Sequence, residues 1–434
     1  MAIIPQKQLF GWEEIEDLGD LERLRLVLEY MPDEELMRTL ELNRGKGRNR
    51  YPIRAVWNTI LAGVVFQHIS IESLRRELSR NAQLRAMCGL GMVPPSWVYS
   101  RFLKTLLRYP AKVEAVFDRL VTTLTELLPD LGQRLAFDGK ALRSHVNPRK
   151  KGETAEPDGR RDLDANIGVK HYRGQREDGT VWEKVMTWFG YRLHLLVDAT
   201  YELPVAYEVT KASESEVKHA HKIADETARR HPEIMGRCEY FTADRGMDDG
   251  KLIAKLWDEY GIKPVIDIRN LWKDGEATKL VPGETNVVYD FKGTVFCCDP
   301  VSGVQREMAY AGFEKDRGTL KYRCPALHYG VSCRGMCDCP VKSCIRIKME
   351  EDRRVFTPLA RSSYKWEREY DHRTAVERVN SRLDVSFGFE NHYIRGQRKM
   401  QVRVGLALCV MLAMAVGWIK ENKLENMRSL VKAS

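Results

Sequence analysis

Three short segments carry acids in settings suited to metal-dependent chemistry. They are Leu135-Ala-Phe-Asp138-Gly-Lys140, Phe241-Thr-Ala-Asp244-Arg-Gly246 and Tyr370-Asp-His-Arg373-Thr-Ala-Val-Glu377-Arg-Val-Asn380. Asp138 closes an apolar run, so it belongs at the end of a buried strand. Asp244 follows a second such run, Cys238–Ala243. Glu377 lies where the spacing is helical, and Tyr370, Arg373 and Glu377 at i, i+3 and i+7 share one face of a helix. Hard cations such as Mg²⁺ take oxygen ligands. Two of them bridged by shared carboxylates activate a water and stabilise a leaving oxygen on phosphorus. One acid from each of three distant segments is the minimum for that chemistry. The bland alternative is three unrelated acids at a strand end, a turn and a helix face.

The ordered set resembles the catalytic core of bacterial insertion-sequence transposases of the DDE class. The spacing from Tyr370 through Arg373 to Glu377 matches the signature around the catalytic Glu in a large group of them. The resemblance also takes in the stretch from Tyr51-Pro-Ile-Arg54 to Arg101-Phe102 and the block Trp188–Asp198. The group's signature continues with a Lys seven residues after the Glu. Here Asp384 stands at that position, and neither Arg378 nor Arg382 is in register. The resemblance implies an α/β, ribonuclease-H-like mixed sheet, with the first Asp on the first strand and the second after the fourth. It implies two Mg²⁺ or Mn²⁺ ions per site, bridged by Asp138, with Asp244 and Glu377 holding one each. Water, and then a DNA 3′-hydroxyl, would attack phosphorus in line. Arg373 is placed to pair a phosphate. Tyr370 would hydrogen-bond a phosphate or pack as a half-buried ring.

Four regions are expected around these residues. Residues 1–130 read as a helical DNA-binding domain, with apolar spacing over Leu21–Leu42, Ile53–Gln67, Ser70–Arg80 and Trp97–Leu128. Ser70 is a plausible helix cap. Short helices of this kind suit a helix-turn-helix reader. The loop from Arg44 to Arg50 is glycine-rich and free of acids; its Arg44, Lys46, Arg48 and Arg50 either grip phosphates or are solvated. Residues 131–269 read as the first part of the catalytic core. Strands are expected over Thr187–Ala199, Val205–Val209, Cys238–Ala243 and Lys263–Ile268, with helices over Ser213–His231 and Asp248–Tyr260. The polar stretch Asn147–Thr180 reads as a surface loop. Residues 270–362 read as a mainly β, cysteine-rich insertion with strands near Asn286–Tyr289, Thr294–Phe296 and Arg353–Phe356. Residues 363–434 return to the core with the Glu377 helix and a C-terminal helix. The apolar run Val404–Ile419 falls short of the roughly 20 residues of a membrane span and reads as a buried core helix.

Ten cysteines occur in the chain, seven of them in the insertion. No secretory leader is expected from the N-terminal residues, which argues against a disulfide framework. Cys324, Cys333, Cys337, Cys339 and Cys344 are candidate ligands for a structural Zn²⁺, although their spacing is not that of a paired Cys-x2-Cys knuckle. The alternative is a set of free thiols. Trp272 and Trp366 are either wedges into distorted DNA or core rings. His194 and Asp198 either line the site or form a strand-buried, hydrogen-bonded pair, the latter favoured.

The formal charge of +9 suits a polyanion without demanding one. Lys140, Arg395, Arg398 and Lys399 are further candidate DNA contacts, alongside Tyr370 and Arg373. The reading is a DNA transposase that binds the inverted repeats of its element, cleaves and joins strands, and acts on double-stranded DNA ends and target. A homodimer on two identical ends follows from symmetry. A bacterial, cytoplasmic, nucleoid-associated protein with no membrane partner is expected. Its rivals are a metal-dependent nuclease without strand transfer and a catalytically retired repressor.

Overall fold

The computed structural model describes residues 20–45, 49–148, 162–176, 178, 180–336 and 339–428. The chain divides into two units: residues 1–127, 143–166 and 380–434 form one, and residues 128–142 and 167–379 the other.

The first unit is helical where described. The periodicity over Leu21–Leu42 resolves into two helices, Asp20–Tyr30 and Glu34–Arg44, with Pro32 between them. Proline lacks the N–H a helix needs and turns the preceding residue away from helical geometry. Trp97–Leu128 likewise divides at Pro110, into Ser96–Leu106 and Pro110–Leu127. Ser70 caps Ile71–Arg80, its Oγ accepting the Ser73 N–H at 3.1 Å. The helix Gln397–Lys420 packs against Asp20–Tyr30, Ile53–Val65 and Pro110–Leu127. It is long and apolar enough to cross a membrane. Its residues from Val404 to Trp418 are buried within the unit, the place of a core helix.

The second unit is built on a six-stranded mixed sheet. Its strands are β1 (Arg134–Arg143), β2 (Asn166–Gln175), β3 (Val181–Asp198), β4 (Leu203–Lys211), β5 (Tyr240–Ala243) and β6 (Lys263–Ile266). The order is β2-β3-β1-β5-β6, with β4 paired to β3. β1, β5 and β6 run parallel, and β3 and β4 antiparallel. The parallel strands read as unbroken apolar runs because both faces are covered. Helix Glu216–Arg230 packs on β3 and β4, Gly250–Asp258 on β6, and Tyr364–Asp371 on β5 and β6.

β2 corrects the expectation of a surface loop across residues 147–180. Its pattern is polar because this end of the sheet is solvated, so alternation gives no signal. Two indoles of β3 hold it: a Cβ on Gly168 would fall 2.4 Å from the Trp188 ring, and one on Gly174 2.6 Å from the Trp182 ring. Only glycine admits such close approach. Residues 149–161 lie outside the described residues.

The insertion carries two small antiparallel sheets. One has the order β10-β9-β8-β7, with β7 Lys279–Leu280, β8 Val287–Tyr289, β9 Val295–Cys298 and β10 Gln305–Glu307. The other has the order β11-β12-β13, with β11 Ala309–Glu314, β12 Thr319–Arg323 and β13 Cys344–Lys348. Arg353–Phe356, expected as a strand, is a turn. The Asp352 carboxylate accepts the backbone N–H groups of Arg354 and Val355, each at 3.0 Å, and this local turn outweighs the strand preference of Val and Phe.

Candidate active site

Register places the first two acids. Asp138 lies midway along β1 (Arg134–Arg143), not at its end as the apolar run predicts, because the strand continues through Gly139 and Lys140. Phe137 on β1 pairs with Ala243 on β5, so Asp138 and Asp244 each follow the last matched pair of two parallel neighbours. Adjacent strands lie about 4.8 Å apart, which sets two carboxylates side by side at one end of the sheet. Gly139, next to Asp138, and Gly246, two residues past Asp244, each have a steric cause. A Cβ on Gly139 would lie 2.7 Å from Oε1 of Glu216, and one on Gly246 would lie 2.8 Å from Oδ1 of Asp244. Asp244 Oδ1 also accepts the Gly246 N–H at 2.8 Å, fixing its carboxylate at the start of a tight turn.

Asp138 is crowded by like charge. Burial, together with the carboxylates of Asp244 and Glu216, pushes its carboxyl up to about 6, against the pull of the Lys170 ammonium and the Gly139 N–H. Lys170 Nζ stands 3.8 Å from Asp138 Oδ1. Glu216, at the first turn of its helix, is itself raised by burial, while Arg192 and Lys170 pull the other way. Its Oε1 pairs with Arg192 Nη1 at 2.8 Å, and both side chains are largely shielded from water. Glu216, Arg192 and Lys170 were not among the residues singled out from the sequence. Their cue was weak, since an acid in a helix's first turn is ordinary capping.

The third acid comes from a broken helix. Tyr370 ends Tyr364–Asp371, and Glu377 belongs to Thr374–Phe387. Tyr370, Arg373 and Glu377 therefore do not share one continuous helix face as the spacing predicts. At the break the backbone bonds tighten to i,i+3: His372 N–H to Glu369, Arg373 to Tyr370, Ala375 to His372 and Val376 to Arg373. Thr374 Oγ1 also donates to the Asp371 carbonyl at 2.9 Å, which competes with helical continuation.

Tyr370 is half buried. It stacks on Trp366 at 4.7 Å between ring centres and packs on the cluster of Tyr240, Val265, Leu359 and Trp366. Trp366 is thus a core ring. Trp272 lies edge-on to Tyr289 at 5.8 Å. Arg134 holds the Tyr370 helix to the start of β1, its Nε donating to Glu369 Oε2 at 2.8 Å and Nη2 to Oε1 at 3.3 Å. Arg373 Nη1 donates to Glu377 Oε1 at 2.6 Å, and it feels the charge of Asp138. Glu377 is half exposed, its side chain 54% accessible.

The structure thus brings Asp138, Asp244 and Glu216 into one electrostatic neighbourhood, which reaches Tyr370 and Arg373. Glu377 is joined to it through Arg373. Among the described residues no three His, Cys, Asp or Glu side chains close on a single metal-holding point. The donor set nonetheless fits a hard divalent cation. It is all oxygen, two acids sit side by side, and the burial and crowded charge that raise Asp138 are what such an ion offsets. His194 and Asp198 are both buried on β3 but do not form the expected pair, because each bonds other partners. His194 Nε2 bonds Thr210 Oγ1 at 2.9 Å, and Asp198 accepts the N–H groups of Gly132 and Tyr201 at 2.7 and 2.6 Å.

The remaining candidates scatter. Lys140 lies on β1, two residues past Asp138. Arg398 and Lys399 are exposed at the start of Gln397–Lys420, and Arg395 is half buried just before it. Arg50 is exposed, with its guanidinium 5.7 Å from the Tyr51 ring centre, and Arg44 ends its helix bonded to Asn49. Lys46 and Arg48 lie outside the described residues, as does Cys337. Cys324, Cys333 and Cys339 line one pocket with Cys297 and Cys298. Cys344 does not join them; it lines a different pocket with His328 and Lys321, which Cys324 also borders.

The sequence model of the transposase DDE domain family matches residues 135–413, more than half of the chain. No curated protein matches. Among solved structures, the chain is similar to a piggyBac transposase synaptic complex with hairpin DNA. The TM-score is 0.39 with 10% identity, over 97% of this chain and 80% of that one. A likeness of that size carries no argument about mechanism.

Proposed function

The chain belongs to the DDE-domain transposase family, and from that premise we propose that it binds the terminal inverted repeats of a bacterial insertion sequence, cleaves there and joins the ends to a target. The family makes it an enzyme of phosphoryl transfer on DNA. The observation that carries the finer reading is the placement of Asp138 and Asp244 beyond the matched pair Phe137 and Ala243 of two parallel strands.

Asp138, Asp244 and Glu377 would hold two divalent ions, Mg²⁺ or Mn²⁺. When bound, these supply the charge that activates the attacking oxygen and steadies the leaving one. Lys170 offsets the Asp138 charge in their absence and is placed to turn to a phosphate oxygen. Arg373 releases Glu377 and pairs a phosphate, the bidentate role to which guanidinium is suited. Tyr370, stacked on Trp366, holds the turn that carries Arg373. The ribonuclease-H-like arrangement, the Tyr-Arg-Glu signature, the division at residues 1–130, 131–269, 270–362 and 363–434, a homodimer on paired ends and a nucleoid location in the bacterial cytoplasm belong to the same proposal.

Strand transfer is tested with a duplex bearing a pre-cut 3′-hydroxyl end of the element and a supercoiled target. Joined products in Mg²⁺ or Mn²⁺ support transposition. Cleavage of uncut ends without any joined product would leave a nuclease instead.

A further inference from the structure

The insertion holds five thiols around one small pocket. Cys297 and Cys298 come from β9, Cys324 precedes the short helix Pro325–Tyr329, and Cys333 and Cys339 follow that helix. Nothing in a phosphoryl-transfer mechanism uses them. All five are free thiols.

We propose that Cys297, Cys324, Cys333 and Cys339 form a structural zinc site that fastens the first small sheet of the insertion to the segment joining β12 and β13. Four soft sulfurs from separate segments are the donor set of tetrahedral zinc. The cavity they border has a volume of about 20 Å³. That is room for about one water-sized particle, so it suits a single ion and excludes an organic ligand. Cys297 lies within electrostatic range of Cys324, Cys333, Cys339 and Cys298, all on the border of the same cavity. Cys298, its neighbour on the strand, also borders the pocket; alternation along a strand lets only one of the two turn fully to an ion, and Cys297 is the one beside Cys324, Cys333 and Cys339. The sulfur of Cys333 accepts the N–H of Gly335, a backbone bond that favours the thiolate. Arg306 and Lys342 line the same pocket and offset the excess negative charge of four thiolates on one Zn²⁺.

In the structure these sulfurs border the cavity without closing on one point. Closure needs side-chain rotation, and ion binding displaces the thiol protons. The need for a staple is physical. Strands β7 to β10 have two to four residues each. Such short strands bury little apolar surface, and small elements of this kind usually rely on metals or cross-links. A site with four protein ligands leaves no open position, so its role is structural and not catalytic.

The test uses the full chain, expressed with zinc in the medium and purified without metal-affinity steps. Metal content is measured, and Co²⁺ is then exchanged in to read thiolate-to-cobalt absorption. About one zinc per chain is expected, with the intense charge-transfer band of sulfur ligation. Cys344→Ser should keep both, and Cys297→Ser should lose them. Should Cys297→Ser not fold, chelator treatment of the wild type gives a second readout: Cys297 and Cys333 should become reactive to a thiol reagent only after the metal is removed. Zinc-free protein that neither takes up cobalt nor changes thiol reactivity with chelator overturns the proposal. So does loss of metal in Cys344→Ser with retention in Cys297→Ser.

Discussion

A Cβ on the glycine after Asp138 would stand 2.7 Å from Oε1 of Glu216, so a side chain there would have to displace that carboxylate. Gly139 and Glu216 are thus a fitted pair, and Glu216 is held in place by Arg192 at 2.8 Å. An Asp-Gly step is usually assigned to turn geometry, but this one lies within β1. Here the cause is a second carboxylate pressed against the backbone beside the first.

Gly139→Ala should therefore cost about 1–3 kcal/mol, the range for overpacking a closed site. In a Glu216→Ala background the same substitution should cost little. Denaturant unfolding of the four proteins gives the coupling directly. An equal cost in both backgrounds would contradict the contact.

Asp198 supplies a pH signature of the fold. Burial pushes its carboxyl up to about 6, against the pull of the backbone N–H groups of Tyr201, Gly132 and Thr200. A raised carboxyl keeps its proton in the folded state where the unfolded chain has released it. Its contribution is therefore full below the unfolded value near 3.8 and declines as pH rises towards about 6. Asp198→Asn removes this dependence. The stability of the variant relative to wild type should thus rise by up to about 3 kcal/mol between pH 4 and 6, whatever constant cost the lost hydrogen bonds add. A difference that stays flat over that window would show that Asp198 titrates normally.

Much of the fold follows from sequence pattern, and the misses have identifiable causes. β5 and β6 show as apolar runs because both sheet faces are covered. β2 hides because Ile167, Val169 and His171 are exposed and its glycines are covered by indoles from β3. The break between Tyr370 and Glu377 hides because each half keeps helical spacing, and only the local bonds of His372 to Val376 reveal the turn. Asp138 and Asp244 were legible, since each ends a run of buried residues. Glu216 was not, because its partners Gly139 and Arg192 are far away in sequence and meet it only in the folded sheet.

DNA contacts by the loop after Glu34–Arg44 should appear as a salt effect. Arg44→Ala and Arg50→Ala should each lower the slope of log affinity against log salt by about one, measured on a duplex carrying the element's end. Lys46 and Arg48 should behave alike. Unchanged slopes would make the loop a solvated connector and place the reader elsewhere in the chain.

The central claim is that Asp138, Asp244 and Glu377 together make one metal-dependent phosphoryl-transfer site. Its most direct measurement compares cleavage and binding of end-bearing DNA by Asp138→Ala, Asp244→Ala and Glu377→Ala. Each should lose Mg²⁺-dependent cleavage by at least about a thousandfold, as expected where a metal's charge stabilisation is removed, while binding the DNA within a few-fold of wild type. A variant that cuts at near wild-type rate, or one that loses binding while its residual complexes still cut, would contradict the assignment.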